Sequence, residues 1–373
     1  MFEGLFVPQH LRESLSDESC LRRMLDVERA LARAEARAGV VAEAGDVRAE
    51  IDVQSLVVEG RAAGNPVEPL ARALRAHNDT AHHGATSQDI LDTALVLVAR
   101  DALDVFELDG LADACARLAD EHRHTVMAAR TLLQQAVPTT FGLKAAGWLV
   151  ATVEARSLVT SCYKELAAEL GGAAGTLAAL GDRGPEVLRF FAEELSLPEP
   201  AVPWHTNRVR FAQLGSAVAI AAGVAAKIGL DVQLLSQTEV AEAREAAGGA
   251  SSTMPHKRNP IGSTRARACA RHAHAAASVL LGSLEQEHER AAGAWHAEWK
   301  ALRDALAYGG GAVAAARDVL DGLEIDAERM RANITDDVLS EAQRLGIEAR
   351  MPEDYLGSAN VFVDRALELY RGA

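Results

Sequence analysis

Residues 245–262 read "EAAGGASSTMPHKRNPIG". Gly248, Gly249 and Ala250 lead into Ser251 and Ser252, and Lys257 and Asn259 follow between Pro255 and Pro260. These residue types suit proton transfer at a carbon next to a carboxylate. Such a step passes through an enolate-like dianion, whose two charged oxygens need preorganised donors of the kind Lys257 and Asn259 supply. A seryl hydroxyl is a feeble acid or base near neutral pH, so the segment carrying Ser251 must also bring oriented amides to it. The two glycines give that segment its backbone freedom. An ordinary surface loop is the competing reading.

Three further segments carry polar groups at the heads of apolar runs. In "HHGATSQDILDTALVLVAR", residues 82–100, Thr86 and Asp89 have the spacing of a capping box. The free amides of that helix start, beside the Thr86 and Ser87 hydroxyls, form a natural carboxylate site, although a plain N-cap has the same pattern. In "RTLLQQAVPTTFGLKAAGW", residues 130–148, Thr131 and Gln134 precede a proline and a helix start. In "PWHTNRVRF", residues 203–211, His205 and Arg208 sit at the head of a long apolar helix. Positive charge is disfavoured there unless an anion lies nearby; a histidine in a polar turn is the alternative. His82 and His83 are adjacent, His272 and His274 point to different faces of a helix, and no HExxH-type set occurs. Neither a metal nor a cofactor is expected.

These segments need long helices to hold them. Residues 14–39 begin with Ser and Asp, carry apolar residues at helical spacing and stop at a glycine. Helical stretches are expected near 88–128, 141–171, 208–245 and 260–285. In the third, Phe211, Leu214, Val218, Ala221, Ala225, Ile228, Val232 and Leu235 recur at alternating steps of three and four. That seam predicts a helix of roughly 50 Å at 1.5 Å per residue. Several helices of this length, with apolar residues on more than one face, imply an elongated bundle that buries its surplus against other subunits. The expected divisions are an N-terminal helical domain (1–78), a central long-helix bundle (79–326) and a short C-terminal helical segment (327–373).

Composition narrows the partners. The chain has 373 residues, 49% hydrophobic but only 4% aromatic, so its core is built from Ala, Leu and Val, a palette for close-packed helices. The net charge of −15 argues against nucleic acid and anionic membranes. No apolar run is expected to span a bilayer, and "MFEGLFVPQH" is not a signal peptide. Cys20, Cys115, Cys162 and Cys269 lie far apart and read as reduced thiols of a cytoplasmic protein.

The segment "ASSTMPHKRNP" resembles the signature loop of the fumarase/aspartase superfamily, and the other blocks resemble its remaining characteristic regions in order. "HHGATSQDILDTALVL", "LLQQAVPTTFGLKAAGW", "PWHTNRVRF" and "QEHERAAGAWHAEW" are most similar to the branch that lactonises 3-carboxy-cis,cis-muconate. The resemblance implies an all-α, three-domain subunit, assembled as a homotetramer around a long central bundle, with active sites shared between subunits. It implies Ser251 as the proton-transfer residue, Lys257 and Asn259 on a substrate carboxylate, and Thr86, Ser87 and Thr131 as further substrate contacts. His82, His205 and Arg208 are further candidate substrate contacts. A small di- or tricarboxylate is the implied substrate.

Departures matter too. Many superfamily members carry a histidine in the second region, oriented by a glutamate after the signature; here these positions hold Leu132 and Thr264. An entering or departing carboxylate needs no acid, because it stays ionised at neutral pH. This favours the cycloisomerase branch over an adenylosuccinate-lyase-like enzyme. A lyase releasing another weakly basic anion, such as nitrite from nitrosuccinate, fits the same loss, and a catalytically silent homologue is the reading from another class. Ala250 replaces a usual glycine, and the C-terminal domain is shorter than the family's usual one.

Overall fold

The computed structural model describes residues 2–250, 253, 254 and 257–372. Ser251, the expected proton-transfer residue, lies outside the described residues together with Ser252, Pro255 and His256. The fold is helical, as expected, with three small two-stranded antiparallel sheets. Two compact units are each assembled from three separate segments. The first takes Met1–Val105, Val159–Ala217 and Ala273–Ala307, and the second Phe106–Leu158, Val218–His272 and Tyr308–Ala373.

The first unit opens with α1 (Gln9–Ser14), α2 (Asp17–Arg37), α3 (Val53–Ala63), α4 (Val67–Arg75) and α5 (Ser87–Leu103). Helix α2 is the capped helix expected from the sequence. The Ser16 hydroxyl accepts from Ser19 N, Asp17 and Glu18 occupy the first turn, and Gly39 beyond the C-terminus has φ +71°. Helix α5 is buried nearly all round. Its apolar residues alternate with a polar stripe, Gln88, Asp89, Asp92 and Thr93, each fully buried. A stripe like that demands internal partners.

The expected helix over 88–128 is two helices, because α5 ends at Leu103 and α6 (Leu108–Glu121) restarts after a break at Asp104–Glu107. A hairpin then follows, β1 (Val126–Thr131) and β2 (Gln134–Thr140), before α7 (Phe141–Glu165) and α8 (Gly184–Glu194). Helix α9 (Val209–Leu235) is shorter than expected. At 27 residues it spans about 40 Å, because Glu242 N returns to Leu235 O and the chain turns away. All eight seam residues are buried. By length and composition alone α9 is apolar enough to cross a membrane, contrary to the sequence expectation, but 56% of its apolar window is buried inside the protein.

Strands β3 (Ala243–Glu245), β4 (Gly249–Ala250) and β5 (Arg258–Asn259) lead to α10 (Ile261–Gly282) and α11 (Ala294–Asp321), and β6 (Leu323–Ile325) pairs with β3. On α11, a Cβ at Gly309 would collide with Val218, so only glycine admits that approach of α9. The C-terminal pieces α12 (Ala327–Ala332), α13 (Ser340–Arg344) and α14 (Ala359–Gly372) are short, and Val338 and Leu339 pack against Ala128 of the hairpin.

Candidate active site

In the first unit, the start of α5 is a hub. Thr86 and Asp89 form the expected capping box, with Thr86 N donating to Asp89 Oδ2 at 2.8 Å. Asp89 also accepts from Gly171 N at 2.9 Å and Gly172 N at 3.0 Å, and its Oδ1 stands 2.7 Å from His205 Nε2. One turn along α5, Asp92 takes both Nη groups of Arg208 at 2.6 and 3.0 Å and Trp295 Nε1 at 2.9 Å. Glu298 Oε2 takes Arg208 Nε and Nη2 at 2.9 and 2.6 Å.

Arg208 is 1% exposed, and its guanidinium donors are spent on Asp92, Glu298 and the carbonyl of His205. The anion that a cation at a helix start requires is therefore supplied by the protein itself. Burial alone would lower the Arg208 pKa; the two carboxylates override that and raise it. Burial pushes Glu298 up to about 7 despite its arginine partner.

His205, expected as a substrate contact, is 4% exposed and held by Asp89 within the same network. Its Nε2 is also 3.2 Å from Glu169 Oε1, a buried oxygen with no hydrogen-bond donor among the described residues. Among the described residues, Asp89, Glu169 and His205 form a buried cluster with ligand atoms close enough for a metal ion. The donor set suits a proton better. Asp89 already accepts from backbone amides on both oxygens, and burial, then the Asp89 charge, holds Glu169 well above the usual carboxylate range. Local sequence spacing could not reveal this cluster, because its members are remote in the chain.

His82 is buried with φ +58°, its Nδ1 2.6 Å from Glu28 Oε1 of α2. His83 pairs likewise with Glu35 at 2.8 Å, whose carboxyl burial raises against the opposing effect of His83. These pairs fix the loop that delivers Thr86 and Ser87, both half-buried, to the helix start. Arg290, which the sequence reading passed over, donates to Thr86 Oγ1 and to the Gly172 and Ala173 carbonyls. It places a guanidinium beside the capped end of α5. Arg290 lies in the block "QEHERAAGAWHAEW", ahead of two tryptophans, Trp295 and Trp299, that pack on each other at the α11 start.

In the second unit, Thr131 is exposed and closes the β1–β2 ladder against Gln134. The turn between them is Leu132–Leu133, with φ +50° and +68° and exposures of 97% and 74%. Leucine is an unusual choice for either position of such a turn. Arg130, next to Thr131, makes a two-point contact with the buried Glu242 at 2.9 and 2.6 Å. Lys257 is exposed, with its amide on Met254 O at 3.0 Å. Asn259 is half-buried in β5, opposite Gly249. The Thr264 hydroxyl donates to Pro260 O at 2.8 Å and accepts from Gln233 Nε2 at 2.9 Å. The expected residues thus fall into two sets. His82, Thr86, Ser87, His205 and Arg208 belong to the first unit, and Thr131, Lys257 and Asn259 to the second.

A family model described as lyase matches residues 9–274. The chain is 46% identical over 346 residues to the 3-carboxy-cis,cis-muconate cycloisomerase of Bradyrhizobium diazoefficiens, covering 87% of this chain and 76% of that protein. The chain is a member of the fumarase/aspartase superfamily of lyases. A second superfamily relative, the nitrosuccinate lyase of Streptomyces davaonensis, is 45% identical over 349 residues, covering 86% of this chain and 74% of that protein. Among solved superfamily structures, the 3-carboxy-cis,cis-muconate lactonizing enzyme of Pseudomonas putida superposes with a TM-score of 0.89 at 36% identity, covering all of this chain and 99% of that one.

Proposed function

We propose that the protein is a cofactor-independent cycloisomerase converting 3-carboxy-cis,cis-muconate to 4-carboxymuconolactone in the β-ketoadipate route of protocatechuate breakdown. One observation carries the reading. The signature-loop residues Ser251, Lys257 and Asn259 are retained, while the two relay positions hold an exposed leucine, Leu132, and a threonine, Thr264, tied to Pro260 and Gln233. Neither can serve as a general acid, and none is needed where the nucleophile is a carboxylate already carried by the substrate.

In the proposed step a substrate carboxylate oxygen bonds to the conjugated double bond, closing the lactone. The displaced electron pair is delocalised into the neighbouring carboxylate, giving a dianion. Lys257, Asn259 and loop amides hold that charge, and Ser251 gives its proton to carbon. Thr86, Ser87, Thr131, His82 and Arg290 are assigned to substrate contact, Arg290 because it sets a guanidinium at the α5 start. His205 and Arg208 are assigned to holding that start in place. A homotetramer with shared sites is supported by exposed apolar residues on the long helices: Ile220 (48%) and Leu230 (36%) on α9, Val279 (43%) and Leu281 (50%) on α10. A cytoplasmic location accords with the four free thiols.

The nitrosuccinate lyase at similar identity supports one second reading, elimination of nitrite, which equally needs no acid. Purified protein is offered each compound in turn. Loss of the diene's ultraviolet absorbance with 3-carboxymuconate, and no nitrite from nitrosuccinate, is expected; the opposite pair of results replaces the first reading with the second.

A further inference from the structure

Helix α10 begins "NPIGST". Its N-cap position holds Pro260, whose carbonyl receives Thr264 N but whose side chain has no oxygen to cap the next amides. The missing cap is supplied from another element. Glu245, at the end of β3 and 6% exposed, takes Gly262 N on Oε2 at 2.9 Å, and Ser263 N and Ser263 Oγ on Oε1 at 2.8 and 2.6 Å. Ser263 is itself fully buried. A Cβ at Gly262 would collide with Val319 and crowd Glu245 Oε2 at 3.2 Å, so glycine suits this close approach. An anion at this helix end is also favoured by the helix dipole.

The topology gives this contact its meaning. Glu245 is where the chain enters the signature loop, and Gly262–Ser263 is where it leaves. One carboxylate therefore joins both ends. The β4–β5 ladder, Gly249 opposite Asn259, stands directly above it. Below it, β3 is pinned to β6, and Ala246 N donates to Gly322 O at 2.9 Å. Three residues earlier on the same run, Glu242 holds Arg130 of the hairpin and Asn333. Strand β3 and its flank thus serve as a common reference for the hairpin bearing Thr131 and for the loop bearing Asn259 and Lys257.

We propose that Glu245 is a positioning residue for the reaction. By capping α10 across the base of the signature loop, it sets where Asn259 and Lys257 stand when they bind the substrate carboxylate. The assignment rests on the proposed function only through the substrate used to read it.

The test compares wild type, Glu245→Gln and Arg244→Ala. The glutamine side chain keeps the shape but presents an NH2 to donors. Arg244→Ala removes only an exposed ion pair to Glu324 on the paired strand β6. Amide hydrogen exchange is followed without substrate, and kcat and KM with 3-carboxy-cis,cis-muconate. In Glu245→Gln, exchange over residues 257–264 rises at least about tenfold and kcat/KM falls at least about tenfold in folded protein, as expected for lost bonds to a charged acceptor. Exchange over residues 359–372 is unchanged, and Arg244→Ala matches wild type in both readouts. Unchanged exchange over 257–264 refutes the anchor. Faster exchange with wild-type kcat/KM makes Glu245 a helix cap and nothing more, which also overturns the proposal. If Glu245→Gln does not fold, Glu245→Asp, which keeps the charge but is one methylene too short to reach both amides, takes its place, and wild-type exchange in that variant is refuting. If wild-type protein leaves the muconate unchanged, the proposed function fails while the exchange measurement still judges the anchor.

Discussion

Glu298 gives the sharpest prediction. It shares Arg208 with Asp92, and all three side chains are at most 1% exposed. One guanidinium neutralises one carboxylate, and the second carboxylate is then cheaper to bury protonated than charged. Burial accordingly moves Glu298 from 4.5 to about 7. The sign follows from the raised value. The group's stabilising contribution is fully present below pH 4.5 and disappears as pH rises through about 7. At about 1.36 kcal/mol for each tenfold change in proton affinity, the move makes roughly 3 kcal/mol across that window.

Glu298→Gln fixes the neutral form, with its carbonyl facing Arg208. The melting temperature of the variant, measured against wild type from pH 5 to 8, therefore gains on wild type as pH rises, by about 3–6 °C in all for a chain of this size. Glu169, raised in the same direction, is common to both proteins and cancels in the comparison. Melting curves whose difference is flat across the window would mean that Glu298 stays ionised beside Arg208 and that the charge accounting is wrong.

Ser251→Ala is expected to retain fold and assembly, seen by circular dichroism and light scattering, and to lose at least about 10²-fold in kcat; near-normal turnover removes Ser251 from the proton transfer. Arg208→Met leaves two carboxylates facing each other and should cost about 3–5 kcal/mol, read as a fall in melting temperature, with KM unchanged in the folded fraction. A raised KM at unchanged stability would return Arg208 to substrate binding. Replacing Leu132–Leu133 by Asn-Gly puts turn-forming residues where φ is positive and should raise stability by about 1–2 kcal/mol in thermal or urea unfolding. No gain would show that the turn is unstrained.

Periodic features were legible in advance. The heptad seam from Phe211 to Leu235 is buried at every position, the Thr86–Asp89 box forms as read, and the helix expected over 14–39 is capped by a serine, Ser16. Each is encoded within a few residues, so spacing alone reveals it. The β1–β2 hairpin was not legible, because "TLLQ" has none of the Asn or Gly that marks a two-residue turn. The end of α9 was missed for a related reason. Residues 236–242 contain no Gly or Pro, and the chain leaves the helix through Ala241 at φ +51°. Arg208 reads from the sequence as a cation at a helix start that needs an anion, but its partners are 90 and 116 residues away, beyond any local pattern. The same distance hid the Asp89–Glu169–His205 cluster, and Glu245 looked like one more charge in an acidic chain.

The buried stripe on α5 bears on how the polypeptide becomes a protein at all. Asp89 and Asp92 leave the ribosome early, but Gly171, His205, Arg208 and Trp295 satisfy them only after much more of the chain has followed. Until then α5 is a greasy helix with two naked acids, unable to settle into any interior. Closure of the first unit must therefore wait for its last segment, Ala273–Ala307, and a chain that stops before Trp295 leaves Asp92 short of a partner in the interior.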